Sequence, residues 1–525
     1  MSQKQVIGLG TWMDKLAGRL VEREKRLGRS LELLRTEAGI AASGIVHLGS
    51  MADSVRAHAV ALALRNLGYN SETIQFADDM DGLRSVPAEL PREVGKYLLR
   101  PVSLIPDPFN CHGSYAEHME YLLLDALEKA GIRATFMRAY DAYKNGILAE
   151  QIRRILENHK AIGEKINELT GQKKFLETLP YFPICGNCGR VYTAHAYEFE
   201  PGSDKVLYRC KDVMVKGVWH EGCGYEGEAD IKKADGKLSW KVEWAARWSA
   251  LDIRFEAYGK DLAKSIMVND WVSREILQFE PPMHVQYELF LDESRRKISK
   301  SRGVSVFTPQ SWYRYGTPQS LILLLLKRIK GTRVISPPLI PALMNELDRL
   351  QDAYYSGSGD IKSRGLFMYI YNLEPPREPP SKVPYTLLTQ LAGAAPDGAE
   401  EQFVISRLQR YGYKVDDTVR ERVRMAINFV KDFGQVEVKP VQLSENQKKA
   451  INKLIKVIEK AKSGDEIQNG IFNAARNNGL QPAEFFRTLY KVLIGQPKGP
   501  RLGPYIFEDL GSEKAVEKLR RAVGG

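Results

Sequence analysis

The spacing of apolar positions changes character twice along this chain. From residue 30 to about 175, short apolar runs alternate with longer stretches of helical period. Residues 31–36 read as a buried strand, 51–67 carry apolar positions at helical spacing, 73–76 form a second strand, 134–139 a third, and 151–169 read as one helix. Residues 183–230 break the rhythm with a stretch rich in Gly, Cys and Tyr, as an inserted module would. The alternation then resumes, strand-like at 253–257, helical at 268–279 and strand-like at 284–291. Beyond residue 308 the period is helical. An apolar run at 321–326 and a proline-rich connector at 374–384 precede successive helices that include 418–431, 445–460 and 482–493. This pattern predicts an α/β fold, a Rossmann-type doubly wound parallel sheet with an inserted module, followed by an all-α C-terminal helical domain. The expected segments are a catalytic domain at 1–307 with the insertion at about 180–230, a helical connective region at 308–383, and a helical domain at 384–525.

A chain of 525 residues has room for several domains. Its 43% hydrophobic and 27% charged content is that of a soluble globular protein. No apolar run approaches the ~18 residues of a membrane span, and the first residues lack the apolar stretch of a signal peptide, so no membrane partner and a cytoplasmic location are expected. The 76 basic and 65 acidic residues leave a net charge of +11, which favours a polyanionic partner. Four of the five cysteines lie between Cys185 and Cys223, a distribution that points to metal rather than to disulfides.

Two short stretches carry the chemistry. The first, Ser43-Gly44-Ile45-Val46-His47-Leu48-Gly49-Ser50, follows the first predicted strand, where ligands of a doubly wound sheet bind. Gly44 and Gly49 allow close backbone approach, and a helix starting near His47 offers free N–H groups and a positive dipole end to phosphate. His47 can donate to a phosphate oxygen. The second stretch, Lys297-Ile298-Ser299-Lys300-Ser301-Arg302-Gly303, follows the last predicted strand. In-line attack on an α-phosphate builds negative charge that lysines on a loop can meet in the transition state. Cys185-x2-Cys188 with Cys210 and Cys223 supplies four thiolates for a structural Zn²⁺, with His220 as an alternative fourth ligand because Cys210 and Cys223 are widely spaced. Asp107, Cys111, His112 and His118 are sound zinc ligands by type, but by spacing alone they are ordinary loop residues.

The H-L-G-S and K-I-S-K-S stretches resemble the H-I-G-H and K-M-S-K-S pair of class I aminoacyl-tRNA synthetases, with Leu48, Ser50 and Ile298 as departures. Residues 76–84, 240–248, 259–261 and 499–504 resemble the archaeal-type class I lysyl-tRNA synthetases, and the similarity runs from about residue 10 to the end of the chain. The resemblance implies ATP-dependent formation of lysyl-adenylate, with Mg²⁺ accompanying ATP. Transfer of L-lysine to the 3′-terminal adenosine of tRNA(Lys) follows. It implies catalytic roles for His47, Lys297 and Lys300, and ATP binding by Ser43, Gly44, His47, Gly49, Ser50, Gly259, Asp261 and Lys300. It implies lysine contacts at Gly39, Ala41, Trp240 and Tyr287, with Ala41 and Leu262 standing where the family has polar residues. It also implies a second zinc on Asp107, Cys111, His112 and His118, beside the one on Cys185, Cys188, Cys210 and Cys223, and anticodon reading by the helical domain. In the related glutamyl and glutaminyl enzymes an arginine lies seven residues before the glycine aligned with Gly44. Here that position is Glu37, which favours a cationic substrate and joins the lysine-binding set. Asp79, Asp81 and Asp261 could add negative potential, and Arg328, Lys330 and Arg333 are candidates for tRNA phosphate contacts. A glutamyl-type synthetase and a tRNA-binding paralogue without catalysis are the alternatives.

Overall fold

The structure, a computed structural model, describes residues 6–87, 90–295, 308–434, 441–495 and 499–524. These residues pack as two compact units, one of Met1–Gln310, Ile322–Ile335 and Asp360–Pro375, the other of Ser311–Leu321, Ser336–Gly359 and Pro376–Gly525.

The first unit is built on a five-stranded, wholly parallel sheet. Its strands are β1 (Leu34–Ile40), β2 (Ser71–Ala77), β3 (Thr135–Arg138), β4 (Ile253–Gly259) and β5 (Met283–Tyr287), in the order β5-β4-β1-β2-β3. The chain moves outward from β1 to β2 and β3, then returns to the other side of β1. The strand order therefore reverses between β1 and β4, which is where such sheets open a binding crevice. Helix α1 (Trp12–Arg26) begins with a capping box, Thr11 accepting from the Asp14 N–H while Asp14 accepts from the Thr11 N–H. Helix α2 (Leu48–Asn66) connects β1 to β2 and is apolar on nearly every face, as a helix covered on all sides must be. Helices α3 (Tyr115–Lys129), α4 (Trp240–Ala250) and α5 (Ala263–Trp271) lead into β3, β4 and β5.

The helix expected at 268–279 begins earlier, at Ala263, and widens into a π turn over Val272–Ile276. Three further elements differ from the apolar pattern, each for a physical reason. The strand expected at 31–36 lies at Leu34–Ile40, because a buried carboxylate, Glu37, sits in mid-strand and hides its second half from an apolar search. The helix expected at 151–169 is two helices, Ala149–Glu157 and His159–Thr170. Asn158 parts them, its Nδ2 donating to the Arg154 carbonyl at 2.8 Å. Ile152, Ile155, Ile162 and Ile166 enter the same core, so the apolar period runs through the break. The strand expected at 284–291 ends at Tyr287, and Phe290–Leu291 then pairs with Arg333–Val334.

The insertion enters and leaves through an antiparallel stem, Tyr181–Pro183 against Gly236–Leu238. Between these ends lie a three-stranded antiparallel sheet (Ala194–Glu200, Lys205–Cys210, Glu226–Asp230) and a hairpin of Val213–Val215 with Val218–His220. Arg333 is turned inward, donating to the carbonyls of Leu324 and Arg328, so its guanidinium is a structural tie rather than a surface cation.

The second unit is helical, with Leu339–Tyr355, Tyr385–Ala392, Glu400–Arg410, Asp417–Phe433, Glu445–Ile458, Gly464–Arg476, Pro482–Ile494 and Ser512–Gly524 as its main helices. A buried bidentate pair, Arg422 to Asp348 at 2.8 Å through both nitrogens, ties two of them. Among the described residues no helix is long and apolar enough to cross a membrane.

Candidate active site

At the carboxyl ends of β1 and β4 a cavity of about 390 Å³ opens, lined by residues of β1, α2, β4, α4 and the segment after β5. His47 is the N-cap of α2, and its Nδ1 accepts the Ser50 N–H at 3.2 Å. With Nδ1 used as acceptor, the neutral ring carries its proton on Nε2, which is the donor a phosphate oxygen requires. Gly49 makes this possible, since a Cβ there would stand 2.8 Å from His47 Cε1. The glycine thus frees the imidazole to fold back over the helix terminus.

The cavity wall carries far more negative than positive side chains. Asp53, Asp78, Asp81, Glu243, Glu256, Asp261 and Glu288 line it, and the basic residues in the same lining are Arg84 and Lys237. Lys237 is already committed, at 2.6 Å from Asp81 and 2.9 Å from Glu243. Tyr143 donates to Glu243 at 2.7 Å, and the Trp248 indole N–H donates to Glu256. Behind this wall Arg247, fully buried, sits 2.7 Å from Asp78 and 3.0 Å from Glu37, with its guanidinium 4.4 Å from the Phe76 ring centre. Burial pushes the Glu37 carboxyl up to about 7 and that of Asp78 up to about 6, against the opposing pull of Arg247. Burial also raises Asp53 to about 7, although Arg56 and the Tyr287 hydroxyl, which donates to it, oppose the shift. Trp240 and Trp244, also in the lining, meet edge to face with ring centres 5.9 Å apart. A pocket with this charge balance suits a ligand bearing a cation.

Two clusters outside the cavity have the chemistry of metal ligands. The ligand atoms of Cys185, Cys188, Cys210 and Cys223 all lie within 4.8 Å of one another, with Sγ separations of 3.5 Å for Cys185–Cys223 and 3.8 Å for Cys188–Cys210. Four sulfurs at ~2.3 Å around a tetrahedral zinc would stand roughly 3.8 Å apart, so the set fits that ion. The second cluster is Asp107, Cys111, His112 and His118. Cys111 Sγ is 3.2 Å from both imidazole Nδ1 atoms and 3.3 Å from Asp107 Oδ2. The Asp107 carboxylate also accepts the N–H groups of Phe109, Cys111 and His112 at 2.8–3.1 Å, and these bonds outweigh the cost of burial and hold it at about 2. Such backbone bonds fix a carboxylate in the ligating, ionised form.

A family model described as tRNA synthetases class I (K) matches residues 10–374. The chain belongs to the class I tRNA synthetases. Its relatives include a lysine–tRNA ligase of Cenarchaeum symbiosum (strain A), 47% identical over 98% of this chain and 99% of that protein. A lysine–tRNA ligase of Methanocaldococcus jannaschii is 31% identical over 97% of this chain and 99% of that protein. Among solved structures, a glutamate tRNA ligase from Elizabethkingia meningosepticum in complex with its amino acid matches with a TM-score of 0.35 and 14% identity, covering 94% of this chain and 99% of that one.

In this class I synthetase the residues singled out by sequence fall into three groups. Gly39, Ala41, His47, Gly49, Ser50, Trp240, Gly259, Asp261 and Tyr287 line the one cavity, as do Asp81 and Leu262. Ser43, Gly44, Glu37 and Asp79 are not in its lining. The Ser43 carbonyl accepts from the Tyr115 hydroxyl at 3.1 Å, Glu37 faces Arg247, and Asp79 accepts the Tyr140 N–H at 2.8 Å. Lys297 and Lys300 lie outside the described residues. Sequence reasoning passed over Asp53, Asp78, Glu243, Glu256, Lys237 and Arg247. The available signal was a charge in mid-strand on two neighbours, since Glu37 of β1 and Glu256 of β4 stand in register.

Proposed function

We propose that this synthetase ligates L-lysine to tRNA(Lys) in two steps, ATP-dependent formation of lysyl-adenylate and transfer to the 3′-terminal adenosine of the tRNA. The observation that carries the reading is the cavity wall, in which seven acidic side chains stand beside two basic ones, even with Glu288 paired to Lys260 and Glu256 pushed by burial toward its neutral form. A lysine side chain brings the missing cation, whereas a glutamate would add to the excess. The names of the relatives, lysine–tRNA ligase, support the same substrate.

In this reading the lysine carboxylate attacks the α-phosphate of ATP and pyrophosphate leaves. Gly39, Ala41, Trp240 and Tyr287 hold the amino acid. Glu37 contributes through Arg247 and Asp78 rather than by contact. His47 donates from Nε2 to a phosphate oxygen, with Ser43, Gly44, Gly49, Ser50, Gly259 and Asp261 around the nucleotide. Lys297 and Lys300 meet the charge that develops on the departing pyrophosphate. Mg²⁺ arrives with ATP as part of the substrate. The helical unit reads the tRNA anticodon. Zinc on Cys185, Cys188, Cys210 and Cys223, and a second on Asp107, Cys111, His112 and His118, would be structural, because the reaction needs no metal-bound hydroxide.

Amino-acid-dependent pyrophosphate exchange, run with and without tRNA, tests the assignment. Exchange driven by lysine and not by glutamate is expected, and no exchange with lysine in the presence of cognate tRNA overturns it. The acidic wall also sets a pH dependence. Asp53 and Asp78 line the cavity with carboxyls raised to about 7 and about 6, so both lose their charge as the medium is acidified through that range. The KM for lysine should rise by roughly an order of magnitude between about pH 8 and about pH 6. A flat profile would mean that these carboxylates do not face the ammonium. Metal analysis of the purified protein should find about two zinc ions per chain. Cys223→Ser should remove one of them and open 184–235 to limited proteolysis. Retention of both ions by that variant would show that Cys223 is not a ligand.

A further inference from the structure

One residue of α2, behind the wall of the active-site cavity, breaks the character of that helix. The buried positions of α2 are mostly Leu, Met, Ala and Val, and Arg56 stands among them with 2% of its surface exposed. Arg56 does not line the cavity. Its guanidinium lies 4.1 Å from the centre of the Tyr287 ring and 5.8 Å from that of Phe290. Nε and Nη1 have no hydrogen-bond partner among the described residues, and the carboxylate facing Nη1 is that of Asp53, at 4.0 Å. Arg333, 5.9 Å from the same Phe290 ring, is engaged by two backbone carbonyls and brings no counter-charge. Burial lowers the pKa of Arg56, against the pull of Tyr287 and Asp53. A buried cation with unpaired N–H groups costs the fold what an apolar residue at that position would not. Packing alone therefore does not account for it.

Asp53 and Tyr287 do line the cavity, and the Tyr287 hydroxyl donates to Asp53. The direction of that bond matters to a cationic ligand. A phenol that donates to a carboxylate keeps its lone pairs for an incoming N–H. A protonated Asp53 donates to the phenol oxygen instead and turns the phenol proton toward the ligand. The groups facing Asp53 come from three elements, Arg56 on α2, Tyr287 on β5 and Asp261 after β4. Burial pushes the Asp53 carboxyl up to about 7, Arg56 and then Tyr287 oppose that, and Asp261 adds to it. Arg56 is the cation among these groups. We propose that Arg56 is a positioning residue for the amino-acid substrate, which keeps Asp53 ionised and covers the Tyr287 ring so that the Tyr287 oxygen accepts from an ammonium of lysine. The assignment rests on the reading of the substrate as lysine and adds a residue outside the cavity that sets the proton arrangement within it.

The test is lysine-dependent pyrophosphate exchange by the full chain with tRNA present, between about pH 5.5 and about pH 9, beside the melting temperature of each variant. Arg56→Met should raise the KM for lysine about tenfold near about pH 7.5, with kcat within about twofold of wild type. It should also move the acid limb of the KM profile up by about one pH unit, because Asp53 loses the cation that holds it ionised. Arg56→Lys, which keeps the charge, should leave the limb close to its wild-type place. A folded Arg56→Met with an unmoved limb, whatever its loss of activity, would overturn the proposal and leave Arg56 a structural role. If Arg56→Met melts early, Tyr287→Phe gives the reading. Without the hydroxyl, the part of the limb set by Asp53 should vanish and only the lower part set by Asp78 should remain. A limb of wild-type extent in Tyr287→Phe would show that Asp53 acts without the tyrosine, and would overturn the proposal too. Absence of lysine-driven exchange by the wild type would instead defeat the substrate assignment.

Discussion

Arg247→Met is expected to cost about 3–5 kcal/mol of stability, because it leaves buried carboxylates without their cation. Glu37 and Arg247 are both fully buried, 3.0 Å apart, and the same guanidinium holds Asp78 at 2.7 Å. Methionine keeps much of the volume against Phe76 but none of the charge. The loss should depend on pH in a definite direction. Glu37 and Asp78 have carboxyls raised by burial to about 7 and about 6, so the fold carries their cost least when they are protonated and most as pH rises through that window. Removing Arg247 takes away the cation that pulls both downward, so the deficit relative to wild type should widen between about pH 5.5 and about pH 8. Thermal unfolding at the two pH values, with Arg247→Met/Glu37→Gln as the compensating double variant, measures it. A deficit equal at both would assign the loss to packing on Phe76 and not to charge.

Lys300→Ala should lower the rate of adenylate formation by about two to three orders of magnitude while changing ATP binding far less. The cavity itself explains why. Its basic lining residues are Arg84 and Lys237, Lys237 is held between Asp81 and Glu243, and Arg84 lies 3.2 Å from Asp81. In the proposed reading, a wall that attracts an ammonium is poorly suited to neutralising a departing pyrophosphate. Beside the Mg²⁺ that accompanies ATP, Lys297 and Lys300, which follow β5 closely in sequence, are the proposed source of positive charge. Single-turnover measurement of adenylate formation across ATP concentrations separates the rate from the affinity. Equal losses in both would mean that the lysine binds only the ground state.

Much of the parallel sheet was legible because strands buried on both faces give continuous apolar runs, and the intervening helices show their own period. The parts that were not legible are those where charge is paired inside the protein. Glu37 reads as a strand end when Arg247 is unseen, and Glu243 and Arg247 carry no mark in the sequence that sets them apart from other charges on a helix. The two are i and i+4 on α4, yet they serve different partners, Lys237 and Glu37. Pairing across 210 residues leaves no local signal. The metal clusters were the reverse case. Spacing announced the four cysteines, whereas the Asp107, Cys111, His112 and His118 set was carried by the family resemblance, and the folded chain brings each set of ligand atoms together. The break at Asn158 was invisible for a third reason, because apolar period records which face is buried and not whether the backbone hydrogen bonds continue.

The antiparallel stem has a consequence at the level of the gene. Tyr181–Pro183 and Gly236–Leu238 lie side by side, so the chain returns from its excursion where it left. Part of the interior is tied to the rest of the unit, since Ala196 and Val206 share a core with Ile74 and Phe76 of β2 and the Tyr192 hydroxyl accepts the Gly82 N–H, but the hairpin Val213–Val215 with Val218–His220 is not in that core. A lineage could trim, enlarge or exchange that hairpin without shifting the register of any core strand, as inserted domains do at closely spaced termini. The fixed point is the returning strand, since it carries Lys237 to Asp81 and Glu243. A chimaera that keeps both halves of the stem and Tyr192, whose hydroxyl accepts the Gly82 N–H and whose ring lies under Arg84, and swaps only the hairpin would inherit an intact acidic wall.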